Sequence, residues 1–170
     1  HILIIGDPGC GKSAMLQRIE TLIPHARCAN GKGASGVGLT CAVIRDDFVG
    51  WTFQAGTLVL AHKNIAIIDE FGAMLTSAAA RGNQHKADSL VMLMEAFGRQ
   101  TKSLRNQGYA TLSLTQAQKE SLQVSIKHPS ITLLGMTTPE TFYEAIGGKD
   151  VASGFLNRFV IVESKRPREV

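Results

Sequence analysis

An eight-residue segment near the amino terminus, GDPGCGKS at positions 6–13, constrains the fold more than any other feature of the sequence. It follows the spacing GxxxxGK[ST] and lies between a β-branched run that ends at Ile5 and a segment with helical apolar spacing. Backbone N–H groups of such a loop face phosphate oxygens, the lysine reaches the β- and γ-phosphates, and the hydroxyl binds Mg²⁺. The positive end of the following helix faces the same phosphates. We therefore predict a strand, a phosphate-binding loop and a helix at the start of an α/β fold.

The expected ligand of this loop is ATP with Mg²⁺. The residues that we expect to bind the nucleotide are Gly6, Asp7, Pro8, Gly9, Cys10, Gly11, Lys12, Ser13 and Ala14. Among them, Lys12 is also expected to act in catalysis and Ser13 to bind the metal ion.

A second motif, IAIIDE at positions 65–70, is an apolar run that ends in two carboxylates, the form of a Walker B motif. A carboxylate at the end of a strand can hold the shell of the Mg²⁺ ion, and we assign this role to Asp69. Glu70 is then placed to polarise a water for in-line attack on the γ-phosphate. The Asp-Glu pair favours an ATP hydrolase that does mechanical work over a nucleotide kinase, for which a single Asp would suffice.

Strands alternate with helices along the rest of the chain, which predicts a mainly parallel sheet flanked by helices. The predicted strands lie at 1–5, 41–44, 51–53, 57–61, 65–68, 109–114, 122–126 and 131–136, with a last one within 155–162. The predicted helices lie at 13–22, 86–97 and 141–146, and a glycine-rich loop covers 30–38. Two β-hairpins are expected, one at 41–53 with a polar tip and one at 109–126.

Length and composition limit the class of protein. The 170 residues fit one domain, and 44% hydrophobic with 19% charged residues excludes a disordered chain. Three cysteines without a CxxC pair argue against a disulfide scaffold and a zinc site and favour a reducing, cytoplasmic context. The apolar runs are too short to span a bilayer, so we expect no membrane partner. Because the sequence begins at His1, directly in a strand, we expect residues 1–170 to be one ATPase core excised from a longer chain.

The positive charge is concentrated in one segment. The formal net charge is 18 − 14 = +4, and residues 99–127 alone carry five Lys/Arg against one Glu, again +4. A basic segment of this kind suits a polyanionic partner such as a nucleic acid. The alternative is a solvated surface with little energetic meaning.

Three stretches of the sequence resemble the minichromosome maintenance (MCM) replicative helicases, within the AAA+ ATPases. They are GDPGCGKS, GKGASGVGLTCAVIRDD and AGTLVLAHKNIAIIDEFGAML, and the close similarity covers about the first 75 residues. The resemblance implies an αβα core with inserted β-hairpins, of which 41–53 is one. It places the lid and its second sensor after Val170. The later stretches HPSITLLGMTTPETFYEAI and GFLNRFVIVE are similar to helicase domains fused to phage and plasmid primases, which suggests a bacterial, viral or mobile-element origin.

The same resemblance implies further site residues. A polar sensor that orients the attacking water is expected at the end of the strand 131–136, where the family has Asn before Pro and this sequence has Thr-Thr-Pro. We assign the sensor to Thr138, with Thr137 as the alternative. Arg158 matches the arginine finger, which reaches the γ-phosphate of a neighbouring subunit. The alternative for Arg158 is a structural pairing with a carboxylate.

The implied partners are single-stranded DNA in a central channel and further copies of the chain in a ring, expected to be hexameric. The DNA contacts are assigned to Lys119, near the tip of the second hairpin, and more weakly to Lys102, Arg105 and Lys127. Trp51 and Phe48 could stack on bases, but we expect them to pack the first hairpin against the body of the domain.

The function that these features favour is an ATP-driven ring helicase that translocates on and unwinds DNA during replication. Two other functions stay open. One is a AAA+ loader or remodelling ATPase that acts on a protein partner. The other is a nucleotide-binding structural subunit without hydrolysis, against which the intact Lys12, Asp69, Glu70 and Arg158 argue.

Overall fold

A computed structural model describes residues 1–33, 36–39, 41–48, 50–79, 104–105, 125–146, 154 and 156–164. The strands in it are β1 (Ile2–Ile5), β2 (Arg27–Asn30), β3 (Cys41–Asp46), β4 (Gly50–Ala55), β5 (Asn64–Asp69), β6 (Leu104–Arg105), β7 (Ser125–Ile126), β8 (Ile131–Thr137) and β9 (Val160–Glu163). The helices are α1 (Lys12–Leu22), α2 (Gly36–Leu39), α3 (Thr57–Leu60), α4 (Phe71–Ala79) and α5 (Pro139–Ile146), followed by a 3₁₀ turn at Leu156–Arg158.

Five strands form a parallel sheet in the order β2-β5-β8-β1-β9. Because side chains alternate across a strand, β5 and β8 present apolar residues to both faces of this sheet. On one face, Ile67, Leu134 and Met136 pack with Leu16 of α1. The other face carries a larger core, to which α3, α4 and α5 contribute. The predicted α/β architecture with helices on both faces is confirmed.

Two two-stranded antiparallel sheets lie outside the main sheet. The first joins β3 to β4 in antiparallel register, from Cys41 opposite Ala55 to Asp46 opposite Gly50, as predicted. In the second, β6 pairs with β7, and the predicted strand 109–114 and helix 86–97 lie outside the described residues. The expectation that Phe48 packs against the body is wrong, because this side chain is 99% exposed at the hairpin tip.

The prediction of a strand at 57–61 is also wrong, because these residues form the short helix α3. The β-branched residues favour a strand, but backbone N–H groups of Leu60 and Ala61 bond to the carbonyls of Gly56 and Thr57. Leu58 and Ala61 are fully buried as a result. Tertiary packing therefore outweighs local propensity here.

Four elements of the described residues, β2, β6, α2 and α4, were not predicted. The edge strand β2 has the sequence RCAN and is largely exposed, so it lacks the apolar pattern that signals a strand. Helix α4 follows the second motif directly and buries Phe71, Met74 and Leu75. Helix α2 overlaps the end of the predicted loop 30–38. Among the helices of the described residues, none combines the length and apolar character needed to cross a membrane.

Candidate nucleotide site

The phosphate-binding loop connects the end of β1 to the start of α1. The N–H of Gly6 donates to the carbonyl of Thr137 at the end of β8, with the two atoms 3.1 Å apart. Gly11 precedes α1 with φ of 79°, and no side chain caps the N-terminus of this helix. The first backbone N–H groups of α1 are therefore left for an anion, as the pattern predicts.

The side chain of Lys12 is bound to its own loop. Its Nζ donates to the carbonyl oxygens of Gly6 and Asp7, each at 2.7 Å, and lies 3.7 Å from Sγ of Cys10. The ammonium group is therefore held above the loop, beside the uncapped start of α1. In this place it can exchange carbonyl oxygens for the oxygens of a phosphate.

The two sequence motifs meet at Ser13 and Asp69. Oγ of Ser13, in the first turn of α1, donates to Oδ2 of Asp69 at 2.8 Å. The residues are 56 positions apart, and parallel pairing of β1, β8 and β5 brings the ends of their strands to one edge of the sheet. A hydroxyl and a carboxylate side by side are hard oxygen donors, which Mg²⁺ takes together with phosphate oxygens and waters. The donor set therefore fits a nucleotide-bound Mg²⁺ ion.

Glu70 forms the corner between β5 and α4. Its φ of 51° lies in the left-handed region, which is uncommon for a residue with a side chain. Its N–H donates to Oδ1 of Asp69 at 2.9 Å, and its carbonyl accepts from the N–H of Ala73 at 3.0 Å. The Asp69 carboxylate thus contacts Ser13 with one oxygen and the Glu70 backbone with the other. The side chain of Glu70 is exposed, where a water can reach it.

Thr138 lies beside the loop, at the start of α5. Its Oγ1 is 2.5 Å from Oγ1 of Thr141 and accepts from the N–H of Thr141 at 3.4 Å. This is an N-cap arrangement, which the sequence Thr-Pro-Glu-Thr favours. Thr137, the alternative sensor, is buried, and its hydroxyl donates to the carbonyl of Thr138 at 3.3 Å. Both hydroxyls are therefore engaged in local structure at the end of β8.

Arg158 lies at the amino-terminal ends of β1 and β9, whereas the phosphate-binding loop follows the carboxyl-terminal end of β1. Its carbonyl accepts from the amino group of His1 at 3.3 Å, just before β1 begins. Its Nη1 donates to the carbonyl of Gly154. Since a strand rises about 3.3 Å per residue, the four residues of β1 separate this end from the loop by ~13 Å.

Of the residues predicted to contact DNA, Lys102 and Lys119 lie outside the described residues. Arg105 lies in β6, and Lys127 is exposed directly after β7.

One residue at the site was missed by sequence reasoning. Gly31 follows β2, and its N–H donates to the carbonyl of Asp69 at 2.8 Å. Asn30 accepts from the N–H groups of Lys32 and Gly33 and so closes a turn around Gly31. The Asn-Gly-Lys-Gly sequence signals a turn, but the partner of Gly31 depends on β2, which was not predicted.

A cysteine near the site stays a thiol. Partial desolvation of the thiol, a hydrogen bond with Glu20 and the negative charges of Glu20 and Asp69 raise the pKa of Cys28 to about 12, although the residue as a whole is exposed. Because the thiolate is the reactive form, Cys28 is not a nucleophile at neutral pH.

Comparison with known proteins agrees with this geometry. The family model described as the MCM P-loop domain matches residues 1–116. "Minichromosome maintenance protein MCM" of Saccharolobus solfataricus is 42% identical over 109 residues, which are 64% of this chain and 14% of that protein. "DNA replication licensing factor MCM4" of Arabidopsis thaliana is 39% identical over 109 residues, 64% of this chain and 12% of that protein.

A third relative is "DNA replication licensing factor mcm7-B" of Xenopus laevis, 44% identical over 78 residues, 45% of this chain and 11% of that protein. The chain thus spans no more than 14% of the length of these three relatives. The family match extends over more than half of the chain and includes both motifs of the nucleotide site. The protein therefore belongs to the family of MCM P-loop domains.

Proposed function

We propose that this chain is the ATP-hydrolysing motor domain of a ring-forming DNA helicase that unwinds DNA during replication. The observation that carries the proposal is the 2.8 Å contact between Ser13 and Asp69, with Glu70 next to it. It joins a phosphate-binding loop to an acidic strand end, which is the arrangement that nucleotide hydrolysis requires. The relatives named as DNA replication licensing factors support the proposal that the motor acts in DNA replication.

Each residue of the site has a proposed role in this reaction. Lys12 binds the β- and γ-phosphates, and the backbone of residues 6–14 surrounds them. Ser13 and Asp69 hold Mg²⁺, which neutralises charge on the phosphate oxygens when it is bound. Glu70 accepts a hydrogen bond from the attacking water, and Thr138 orients that water from the neighbouring strand end. For the last role the Thr138 hydroxyl must turn away from Thr141.

We propose that Arg158 acts on the nucleotide of a neighbouring copy. Its position at the amino end of β1, ~13 Å from the loop of its own chain, supports this assignment. A guanidinium is permanently charged and planar, which suits the charge that develops on the γ-phosphate. The proposed assembly is a homo-oligomeric ring, expected to be a hexamer.

Arg158→Ala is expected to lower ATP turnover at least 10³-fold and to leave nucleotide binding to the same subunit intact, since arginine fingers contribute about 10³ to 10⁵ in rate. Mixing Arg158→Ala with Lys12→Ala protein should restore part of the activity, because some interfaces then combine an intact loop with an intact finger. The measurement is steady-state phosphate release over a series of mixing ratios. Absence of any recovery would contradict action between subunits.

The proposed polyanionic partner is single-stranded DNA in the central channel. The basic segment 99–127 supports this choice, because phosphate contacts dominate affinity for nucleic acids. Lys119 is the main proposed contact, with Lys102, Arg105 and Lys127 as further ones. The cytoplasmic setting and the mobile-element origin stay predictions.

The test of the motor function is ATP hydrolysis by the full-length protein with and without single-stranded DNA. We expect DNA to stimulate hydrolysis several-fold and Lys119→Ala to reduce this stimulation. Arg18→Ala, which removes a positive charge on the exposed side of α1, is the matched control and should not reduce it. Stimulation by a protein and not by DNA would indicate a remodelling ATPase. Absence of hydrolysis in an assembled ring would indicate a structural subunit.

A further inference from the structure

The backbone of Glu70 is held in a conformation that it does not adopt by preference. A left-handed φ brings Cβ close to the backbone and is energetically unfavourable for a residue other than glycine. Such strain persists only where the surrounding structure determines it, and it is concentrated at functional sites. Neighbouring residues must therefore hold the φ of Glu70 at 51°.

Gly31 contacts this corner from the side of β2. It is buried, and its N–H holds the carbonyl of Asp69 at 2.8 Å. A Cβ atom at this position would lie 2.6 Å from the carbonyl oxygen of Glu70, 3.1 Å from that of Asp69 and 3.0 Å from Cβ of Met74. The Glu70 oxygen cannot move away without disturbing the first hydrogen bond of α4, which it accepts from Ala73. Only a residue without a side chain fits here.

Gly72 lies on the other side of Glu70, as the second residue of α4. A Cβ atom on Gly72 would collide with Oγ1 of Thr137 and would lie 3.1 Å from the carbonyl carbon of Thr141. These two residues belong to the end of β8 and to α5, next to Thr138. The strained Glu70 therefore sits between two contacts that both exclude a methyl group.

We propose that Gly31 and Gly72 are positioning residues that fix the backbone of Glu70 and thereby aim its carboxylate at the attacking water. The inference rests on the proposed role of Glu70 as the group that polarises this water. Neither glycine touches nucleotide in this scheme. Because the two glycines lack side chains, β2 on one side and β8 with α5 on the other can pack directly against the turn that contains Glu70.

The expected size of the effect follows from the contacts. Since real Cβ atoms essentially never show contacts under 3.0 Å, Gly31→Ala must increase the separation between residue 31 and the Glu70 carbonyl oxygen by about 0.4 Å or more, which displaces the backbone at Glu70. A misplacement of about 1 Å at a reacting group can cost 10²-fold in rate. We therefore expect kcat for ATP hydrolysis to fall by about tenfold or more.

The experiment compares Gly31→Ala with Gly33→Ala in the full-length protein. Gly33 lies in the same turn, and a Cβ atom there meets nothing within 4 Å, so it is a matched control for the added methyl group. We expect Gly31→Ala to lower kcat and to keep the stoichiometry and Kd of ATP binding, while Gly33→Ala stays within twofold of the parent. A destabilising effect alone would instead reduce the number of binding sites in parallel with kcat. Equal kcat in the two variants would overturn the proposal.

A second pair of variants tests the proposal if Gly31→Ala does not fold. Gly72→Ala is expected to lower kcat in the same way, and Thr137→Ala removes the hydroxyl with which the new methyl group collides. Compared with Thr137→Ala alone, so that any effect of losing the Thr137 hydroxyl cancels, the double variant should lose less kcat than Gly72→Ala loses compared with the parent. A loss in Gly72→Ala that Thr137→Ala does not reduce would contradict the proposal.

The role of Glu70 and the positioning role of the two glycines can be tested separately. If Glu70→Gln hydrolyses ATP at the parental rate, the proposed role of Glu70 is wrong. If Glu70→Gln is inactive and Gly31→Ala hydrolyses ATP as fast as Gly33→Ala, the role of Glu70 stands and the positioning role of the glycines is wrong.

Discussion

Glu70→Gln is expected to bind ATP with an affinity within a few-fold of the parent and to hydrolyse it 10²- to 10⁴-fold more slowly. The amide keeps the size of the side chain and leaves the contacts among Ser13, Asp69 and the Glu70 backbone in place. It removes the negative charge that polarises the water, and general-base groups typically contribute a factor of this size. The measurements are steady-state phosphate release and calorimetric titration with a slowly hydrolysed ATP analogue.

The control for this variant is Glu144→Gln, which makes the same change on an exposed carboxylate of α5. It should hydrolyse ATP like the parent. Near-normal turnover in Glu70→Gln would mean that another group polarises the water. If ATP binding is lost together with turnover, Glu70 instead maintains the structure of the nucleotide site.

Lys12→Ala is expected to weaken ATP binding at least 100-fold and to abolish turnover with it. In the structure its ammonium group is held by two carbonyl oxygens of the loop, so its position above the phosphate site is already fixed before nucleotide arrives. The substitution removes the charge-assisted hydrogen bonds to the phosphates, which are about twice as strong as neutral ones. It also removes the contact that ties the loop to the start of α1.

Calorimetric titration with ATP and Mg²⁺ measures this effect directly. The control is Lys63→Ala, because Lys63 is an exposed lysine before β5, at the opposite edge of the sheet from the loop. It should bind ATP like the parent. Unchanged affinity in Lys12→Ala would refute the role of the loop as the phosphate site.

The sequence alone sufficed for the parts of the site that depend on local spacing. GDPGCGKS and IAIIDE each specify a strand end and a polar side chain within a few residues, so the placement of Ser13 and Asp69 at one site could be predicted before their contact was seen. Their approach across 56 positions requires only that both strands are parallel members of one sheet. The mainly parallel α/β sheet followed from the alternation of strands and helices along the chain.

Features that depend on tertiary neighbours could not be predicted. The strand β2 has no apolar pattern and is defined by its pairing with β5, so the contact of Gly31 with Asp69 was not foreseeable. The segment at 57–61 has strand propensity but becomes a helix through the burial of Leu58. Neither composition nor periodicity predicts the left-handed conformation of Glu70. Phe48 was expected to pack because large apolar side chains are usually buried, whereas it is exposed at the tip of its hairpin.

The strand that carries the phosphate-binding loop is paired on both sides by the last strands of the sheet. β1 lies between β8 and β9, and His1 bonds to Leu133 and Arg158, 132 and 157 positions later in the chain. During synthesis on the ribosome, β1 therefore emerges before the other strands of this sheet and has no partner strand until β8 follows. Pairings this distant in sequence slow folding and leave apolar edges open in the meantime. A nascent chain that ends before residue 131 should accordingly be unable to retain nucleotide and should depend on chaperones to stay soluble.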